Sequence, residues 1–351
     1  MKKIIMTGGG TAGHVNPNVA LMPKLKENNF EIKYIGSKKG IEKQIIENIN
    51  IPYYPISSGK LRRYFDFKNF TDPFRVMKGY FEARRILKKE KPDIVFSKGG
   101  FVSVPVVAAA SHLKIPVLSH ESDLTPGLAN KIAGRFSDNL LVTFPETLNY
   151  VGEKGILVGS PIREELYLGD KEGIRKKLSF DFKPVLLVMG GSIGSVIINK
   201  CLRESLDKVL ETFNVIHLCG KGNIDENMKK LDGYKQFEYV SDEMKDILAI
   251  SDLIISRSGA NSIFEFLALR KPNILIPLGK GSRGDQVLNA LSFKESGYSF
   301  VIAENNLDRE TLIASINDVY ENRDEYIFQM EKSEIIKSNE KIIKLILDKI
   351  K

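Results

Sequence analysis

Two series of short strand-like runs alternating with helix-length amphipathic runs follow one another along the chain, and each series opens with a strand that ends in glycines. The first begins with Lys3 to Thr7 followed by Gly8 to Gly13, and the second with Val185 to Met189 followed by Gly190 to Gly194. Such alternation is typical of βαβ units and parallel sheets. The sequence therefore predicts an α/β protein with two Rossmann-like, doubly wound domains that face a cleft.

The boundary between these domains is predicted where glycine and proline interrupt both kinds of periodicity, at Gly159 to Arg163. A length of 351 residues suits two domains of ordinary size. We expect a first domain over residues 1–160 and a second over residues 161–330. A closing C-terminal helix is expected over residues 331–351, where apolar residues recur without strand or turn signals.

The composition, with 42% hydrophobic and 27% charged residues, is that of a globular protein and excludes collagen-like and wholly disordered chains. No apolar run approaches the roughly 18 residues that span a bilayer. The N-terminal segment runs into glycines before the apolar core of a signal peptide develops. Cys201 and Cys219 do not form a CxxC pair, so no disulfide framework is expected. These features predict a protein of the reducing cytoplasm.

The first glycine loop, Gly8 to Gly13, matches the GxGxxG pattern of dinucleotide-binding domains. That pattern also requires an acidic residue at the end of the second strand to hold the ribose. Here the second strand ends at Gly36 and Ser37, and the corresponding strand of the second series ends near Gly220, both without an acid. NAD or FAD binding is therefore disfavoured, and two phosphate-binding helix N-termini remain, one in each domain.

The potential metal ligands of the chain are too few and too scattered to predict a metal site. There are four histidines, no HExxH motif and no D-x-D pair of the kind that holds a metal and a nucleotide-sugar diphosphate. No metal and no cofactor are predicted. If a diphosphate leaves during the reaction, Arg257 and the amides of the Gly190 loop are the expected donors.

Most of the excess positive charge lies in one stretch. Between Lys60 and Lys91 there are eleven basic and four acidic residues, a net charge of +7 out of +8 for the whole chain. Seven aromatic residues are interleaved with them, which is the composition of a segment that lies on an anionic membrane surface. The alternative is a solvated helix face whose aromatic residues belong to the core. Because the rest of the chain is nearly neutral, nucleic acid is not an expected partner.

Motifs over nearly the whole chain resemble those of the MurG family of N-acetylglucosaminyltransferases. They are Gly8 to Pro17, Lys98 to Pro105, His120-Glu121 with Pro126 to Lys131, Gly159 to Arg163, Gly190 to Gly194, Arg257 to Ala260 with Glu265, and Asp285-Gln286 with Asn289-Ala290. The resemblance implies a GT-B fold and an inverting transfer, without a required metal, from UDP-N-acetylglucosamine (UDP-GlcNAc) bound in the C-terminal domain. The acceptor would be lipid I, the undecaprenyl-diphosphate-linked muramoyl-pentapeptide, bound in the N-terminal domain, and the product would be lipid II for peptidoglycan synthesis.

The resemblance also implies a location. The enzyme would be peripheral, at the cytoplasmic face of the cell membrane, with the anionic inner face of that membrane as a partner. Its other expected partners are UDP-GlcNAc and lipid I, and further cell-wall synthesis proteins are candidates.

Carried over by motif, the chemistry falls to the first domain. His14 would be the base that takes the proton from the acceptor hydroxyl, or would assist that base, and Thr11, Ala12 and Gly13 would form its loop. Asp123 would contact substrate at a position where many family members have Asn. Without the resemblance, a histidine after a glycine loop is more often a helix-capping residue than a catalytic one.

The resemblance assigns donor binding to residues that lie at the start of the second domain or within it. By motif they are Arg163, Ser192, Ser241, Arg257, Ala260, Asn261, Ser262, Glu265 and Gln286. Arg163 and Ser192 would contact the phosphates or the sugar, and Ser241 would offer backbone groups to the uracil. Amides from Ala260 onward would cap the diphosphate. Glu265 would accept both ribose hydroxyls, and Gln286 would contact the sugar hydroxyls.

Three classes of function remain open on the sequence. The leading one is the lipid I N-acetylglucosaminyltransferase. The alternatives are a diacylglycerol glycosyltransferase of the same fold and, from another class, an NAD-dependent oxidoreductase or a non-catalytic nucleotide-binding module. The run from Pro126 to Lys131 favours the first over the second, and the missing ribose acids argue against the third. Glu265 could be a solvated helix charge, and His120 and Glu121 could serve only to brace their loop.

Overall fold

The computed structural model describes residues 1–59, 68–191, 194–279 and 284–350. The chain forms two compact units, each built around its own parallel sheet. The first unit comprises Met1–Arg163 and Lys337–Lys351, and the second comprises Glu164–Ile336. No helix in these described ranges is long and apolar enough to cross a bilayer.

The first unit contains a parallel sheet whose strands are β1 (Lys2–Thr7), β2 (Phe30–Ser37), β3 (Tyr53–Ile56), β4 (Ile94–Ser97), β5 (Val117–Glu121), β6 (Asn139–Val142) and β7 (Gly155–Leu157). Their order in the sheet is β3-β2-β1-β4-β5-β6-β7. The helices between them are α1 (Ala12–Glu27), α2 (Ile41–Asn48), α3 (Lys68–Glu90), α4 (Ser103–His112), α5 (Leu128–Phe136) and α6 (Leu148–Val151). Helices therefore connect strands that run in the same direction, as βαβ units require.

Strand β1 shows why the predicted strands are continuously apolar. Ile4 and Met6 pack into the core on one face of the sheet, and Ile5 packs into the core on the other face. A parallel strand covered by helices on both faces needs apolar side chains at successive positions. The short apolar runs of the sequence are therefore central strands and not segments of buried helix.

The second unit repeats this plan. Its strands are β8 (Val185–Met189), β9 (Asn214–Leu218), β10 (Tyr234–Phe237), β11 (Leu253–Ser256), β12 (Asn273–Leu275) and β13 (Phe300–Val301), in the order β10-β9-β8-β11-β12-β13. Its helices are α7 (Lys171–Leu178), α8 (Val196–Thr212), α9 (Met244–Ile250), α10 (Ala260–Ala268), α11 (Asp285–Glu295), α12 (Arg309–Glu321) and α13 (Arg323–Glu331). Leu186 and Val188 of β8 pack against Leu202 of α8 and Ile316 of α12 in its core.

The last helix, α14 (Ser338–Lys349), belongs to the first unit. Its Ile342 and Ile346 are buried in the core that also holds Leu21 of α1. The Asn339 side chain accepts a hydrogen bond from the Ile162 amide at 3.0 Å and donates one to the Ile162 carbonyl at 2.8 Å. The chain thus leaves the first unit after Arg163 and completes it with its C-terminal helix.

The order of the strands fixes where ligands can bind in each unit. In the first sheet the chain turns to one side after β1, towards β2, and later continues on the other side with β4; β8, β9 and β11 repeat this reversal. Open parallel sheets bind ligands outside the carboxyl ends of the strands at such a switch point. The loops after β1, β4 and β5, and those after β8 and β11, therefore lie where such sheets bind ligands.

Candidate functional site

Hydrogen bonds from two of its amides fix the loop that follows β1. The Gly9 amide donates to the Gly99 carbonyl at 3.3 Å, and the Gly10 amide donates to Glu42 Oε2 at 3.1 Å. Gly10 has a φ of +90°, a left-handed conformation that favours glycine. Thr11 then takes the N-cap position of α1. The loop is thus fixed while the N-terminus of α1, where anions are favoured, is presented at the edge of the sheet.

His14 lies in the first turn of α1 and is half-buried. Its Nδ1 is 3.1 Å from Thr11 Oγ1, and its amide donates to the Thr11 carbonyl at 3.1 Å. If Nδ1–H donates to the threonine hydroxyl, the basic lone pair lies on Nε2. Thr11 is exposed and Ala12 and Gly13 are half-buried, so the predicted loop and the imidazole are together at the carboxyl edge of β1.

Glu121, the last residue of β5, organises the loop that follows it. Its carboxylate accepts hydrogen bonds from the amides of Ser122 at 2.8 Å, Asp123 at 3.1 Å and Gly127 at 2.9 Å. It also accepts one from Asn130 Nδ2 at 2.9 Å. With four donors around one buried carboxylate, Glu121 braces its loop, and Asp123 is held at the edge of the sheet by its backbone.

A buried lysine and a buried histidine lie beneath this loop. Lys98, directly after β4, is 1% exposed, and His120 is completely buried. Lys98 Nζ lies 2.7 Å from His120 Nδ1 and donates to Ser122 Oγ. His120 Nε2 lies 2.8 Å from the Gly159 carbonyl oxygen. The network connects the ends of β4 and β5 to the segment after β7.

Burial changes the protonation of this pair. It lowers the pKa of Lys98 to about 7, against the opposing attraction of Glu121 and Asp123. Burial and the nearby Lys98 charge lower the pKa of His120 well below its usual value. His120 is therefore neutral at neutral pH, and Lys98 gives up its proton far more readily than an exposed lysine does.

In the second unit, the loop after β8 contains Gly191 and Gly194, with φ values of +91° and +84°. A Cβ at Gly194 would lie 2.1 Å from the Cys219 carbonyl oxygen, so the loop packs directly on the end of β9. Ser195 is the N-cap of α8, with its side chain accepting from the Ile198 amide at 3.4 Å. The predicted donor contact Ser192 lies outside the described residues.

Arg257 follows β11 and is 9% exposed. Its guanidinium donates to Ser195 Oγ at 2.7 Å, to the Ile276 carbonyl at 3.0 Å and to Glu304 Oε1 at 2.5 Å. It therefore connects the ends of β11 and β12 to the N-terminus of α8. The positive charge of Arg257 lies at the carboxyl edge of the second sheet, where the donor diphosphate is predicted to bind. The Glu304 carboxylate balances part of that charge.

The N-terminus of α10 lies at the same edge. Gly259 is its N-cap, Ala260 is buried, and Asn261 and Ser262 are half-buried in the first turn. Amides in the first turn of a helix have no acceptor within the helix, so they are natural donors to an anion. Glu265, in the second turn, is also half-buried and not a fully solvated charge.

The start of α11 is tied to this region through Gln286. Its Oε1 accepts from the Leu278 amide at 3.0 Å, and its carbonyl accepts from Ser258 Oγ at 2.7 Å. Ser241 is exposed in the loop between β10 and α9, where its hydroxyl donates to Asp242 at 3.1 Å. Arg163 is the last residue of the first unit before the chain enters the second.

Two side chains at these edges were not among the predicted site residues, Lys98 and Glu42. Glu42 is fully buried and accepts from the Ser37 amide at 3.0 Å as well as from Gly10. An acidic side chain, Glu42, thus lies near the end of β2. It accepts from the Gly10 amide, whereas in dinucleotide-binding domains the amides of this glycine loop face the pyrophosphate. A lysine between a buried strand and two glycines was the available signal for Lys98.

Comparisons with known proteins identify the family. The models of the glycosyltransferase family 28 N-terminal and C-terminal domains match residues 4–142 and 185–346. The chain belongs to glycosyltransferase family 28. A protein of Clostridium perfringens (strain 13 / Type A) is 64% identical over 347 residues, covering 98% of this chain and 97% of that protein. It is named UDP-N-acetylglucosamine--N-acetylmuramyl-(pentapeptide) pyrophosphoryl-undecaprenol N-acetylglucosamine transferase, and a protein of Clostridium botulinum (strain Hall), 60% identical over 349 residues with 99% of each chain covered, has the same name.

Solved structures of similar proteins have the same fold as this chain. Acinetobacter baumannii MurG has a TM-score of 0.79 at 24% identity, covering 99% of this chain and 100% of that one. The UDP-GlcNAc 2-epimerase from Neisseria meningitidis has a TM-score of 0.70 at 15% identity, covering 99% and 100%. The predicted MurG resemblance and the predicted class of two doubly wound α/β domains are confirmed.

We expect Lys98 to make the free energy of unfolding depend on pH. Its pKa is about 7 in the folded protein, whereas a solvated lysine titrates near about 10.4. Between these values the unfolded chain binds more protons than the folded one, so the contribution of Lys98 to stability rises with pH through this window. Urea unfolding at about pH 7 and about pH 9 should show that Lys98→Met flattens the rise by a few kcal/mol.

Lys344→Met, at an exposed lysine of α14, is the matched control and should keep the pH dependence of the unmodified protein. An equal pH dependence in Lys98→Met and in the unmodified protein would contradict the assigned titration of Lys98.

Proposed function

We propose that this chain transfers N-acetylglucosamine from UDP-GlcNAc to the 4-hydroxyl of undecaprenyl-diphosphate-linked N-acetylmuramoyl-pentapeptide, with inversion, to give lipid II. The family, and the name shared by near-full-length relatives, support this activity. The structural observation that carries it is the presence of a helix N-terminus behind a glycine loop in each unit. Both substrates contain a diphosphate, and each unit provides amides suited to one.

For the donor, we propose the edge of the second unit. The first-turn amides of α10, at Ala260, Asn261 and Ser262, would meet the diphosphate together with Arg257. Glu265 would accept the ribose hydroxyls, Gln286 would contact the sugar, and Ser241 would offer backbone groups to the uracil. Arg163 and Ser192 would complete the phosphate and sugar contacts.

Charge neutralisation by protein groups is part of this proposal. The departing UDP gains negative charge, and fixed amides and a guanidinium stabilise such charge without reorganisation. Because the sequence has no D-x-D pair, we propose that no metal and no other cofactor takes part.

For the acceptor, we propose the edge of the first unit, with Thr11 to Gly13 and Asp123 as contacts. His14 would remove the proton from the acceptor hydroxyl as its oxygen attacks the anomeric carbon opposite UDP. The hydrogen bond between Thr11 and His14 Nδ1 supports Nε2 as the proton acceptor. Attack from the face opposite the leaving group turns an α-linked donor into a β-linked product without a covalent intermediate.

Replacing His14 tests this mechanism. His14→Ala should lower kcat by roughly 10²- to 10⁴-fold, the usual contribution of a positioned base, with little change in the KM for UDP-GlcNAc. Transfer is measured with labelled UDP-GlcNAc and a short-chain lipid I analogue. His112→Ala is the matched control, because His112 is exposed at the end of α4 and bonds Tyr80. A near-normal kcat in His14→Ala would remove His14 from the chemistry, and no transfer by the unmodified protein would refute the proposed function.

We further propose that α3 binds the anionic inner face of the cytoplasmic membrane, as a peripheral contact. Phe74, Met77 and Phe81 are 69%, 53% and 59% exposed, and their spacing places them on one side of the helix. Ala83 and Leu87, on the other side, are buried in the core. The exposed aromatic residues are therefore not core residues, which favours a membrane-binding face over the alternative expectation.

Basic residues surround this apolar stripe. Arg75, Lys78, Arg85, Lys88 and Lys89 are exposed on the same helix. Each basic residue near an anionic surface contributes about 1 kcal/mol of attraction. Residues 60–67 of the predicted basic stretch lie outside the described residues.

The membrane contact predicts a specific loss of binding. A Phe74→Ser, Phe81→Ser double variant should sediment less with anionic liposomes than the unmodified protein, because both rings would enter the interface. Phe182→Ser, at a 96% exposed ring of the second unit, is the control and should bind normally. Added salt should weaken binding of the unmodified protein, since exposed charges are screened. Unchanged sedimentation of the double variant would place the membrane contact elsewhere.

A further inference from the structure

Hydrogen bonds fix the backbone of Lys98 beside the loop that follows β1 and leads to His14. Its amide donates to the Thr7 carbonyl at 2.9 Å, and the next residue, Gly99, accepts from the Gly9 amide at 3.3 Å. A Cβ at Gly8 would lie 3.3 Å from the Lys98 Cβ. Lys98 therefore packs directly against the loop that leads to His14.

The side chain of Lys98 reaches the other loop of the acceptor edge. Its Nζ lies 2.7 Å from His120 Nδ1 and also donates to Ser122 Oγ. A carbonyl can only accept, so the 2.8 Å contact between His120 Nε2 and the Gly159 oxygen places the histidine proton on Nε2. Nδ1 is then the acceptor for Lys98, and one tautomer of His120 satisfies both contacts.

A half-buried lysine of the second unit, Lys271, makes a different set of contacts. Lys271 Nζ donates to the carbonyls of Ala249 at 2.9 Å and Ser251 at 2.8 Å, before the strands β11 and β12 begin. Lys271 thus provides a hydrogen-bond donor for backbone carbonyls at the amino ends of these strands, the edge of the sheet opposite the candidate site. Lys98 instead binds two side chains, at the carboxyl edge and next to Asp123.

We propose that Lys98 is a positioning residue for the acceptor, which holds the Ser122–Gly127 loop on His120 and thereby sets Asp123 relative to the His14 loop. This inference rests on the function proposed above. Lys98 acts through its neighbours and is not assigned a contact with the reacting atoms. The lowered pKa of Lys98 is the expected consequence of burying an amine beneath this edge.

The consequence of losing the ammonium follows from these contacts. His120 Nδ1 would lose its donor, and Ser122 would lose its tie to the end of β4, while Glu121 would still hold the loop amides. The loop should remain folded but shift relative to the His14 loop. Acceptor binding should suffer, and donor binding in the second unit should not.

The test uses the full-length chain with Lys98→Met and, as a matched control, Lys271→Met. We expect Lys98→Met to raise the KM for a short-chain lipid I analogue by about tenfold or more, as for loss of a hydrogen bond to a charged group, with the KM for UDP-GlcNAc unchanged. Lys98→Gln, which keeps a side-chain donor, should recover part of the loss. Lys271→Met should leave both KM values unchanged.

Nitrogen NMR of the histidine rings gives a readout that does not depend on turnover. In the unmodified protein His120 should show the Nε2–H tautomer, and Lys98→Met should shift its Nδ1 signal; His120→Gln assigns the signals. If Lys98→Met does not fold, Lys98→Gln carries the same measurements. An unchanged His120 signal, a parallel rise of both KM values, or an equal effect of Lys271→Met would each overturn the proposal. If the unmodified protein transfers no sugar, the proposed function fails, and the NMR comparison still decides whether Lys98 positions His120.

Discussion

The close approach of the loops after β1 and β4 is the contact on which the acceptor-side edge depends. The Gly99 carbonyl accepts the Gly9 amide at 3.3 Å, and a Cβ at Gly100 would lie 2.2 Å from the Gly9 carbonyl oxygen. Any side chain at Gly100 would push the two loops apart. Because they meet, the Lys98 side chain is buried at the start of the loop after β4, and it reaches the loop after β5. The absence of a side chain at Gly100 thus lets the two loops pack closely, and this close packing shapes the site.

The second unit uses the same backbone principle with different charges. Its glycine loop packs on the end of β9, and Arg257 connects the start of α8 to the loop after β12 while Glu304 balances part of its charge. In the first unit the basic group at the edge is a lysine whose pKa burial lowers, and Glu121 accepts amide hydrogen bonds beside it. The two edges can each bind a diphosphate through helix N-termini, yet only the first has a histidine at the opening of its helix.

The sequence was sufficient for the local features, because strand periodicity, glycine loops and helix starts depend on residues close together. Lys3 to Thr7 and Val185 to Met189 are strands at or within one residue of their predicted bounds. Contacts between distant residues could not be predicted in this way. Asn339 binds Ile162 across 177 residues, so the return of α14 to the first unit has no local signal. The hydrogen-bond partners of Arg257 and the burial of Lys98 likewise depend on how separate βα units pack together.

In the proposed reaction, protein groups alone hold the departing diphosphate while the acceptor hydroxyl attacks from the opposite face. The most direct measurement is the anomeric configuration, by proton NMR, of the product formed from UDP-GlcNAc and a short-chain lipid I analogue in the presence of EDTA. We predict a β-linked disaccharide formed at an undiminished rate. An α-linked product, or a loss of transfer in EDTA that Mn²⁺ restores, would contradict it.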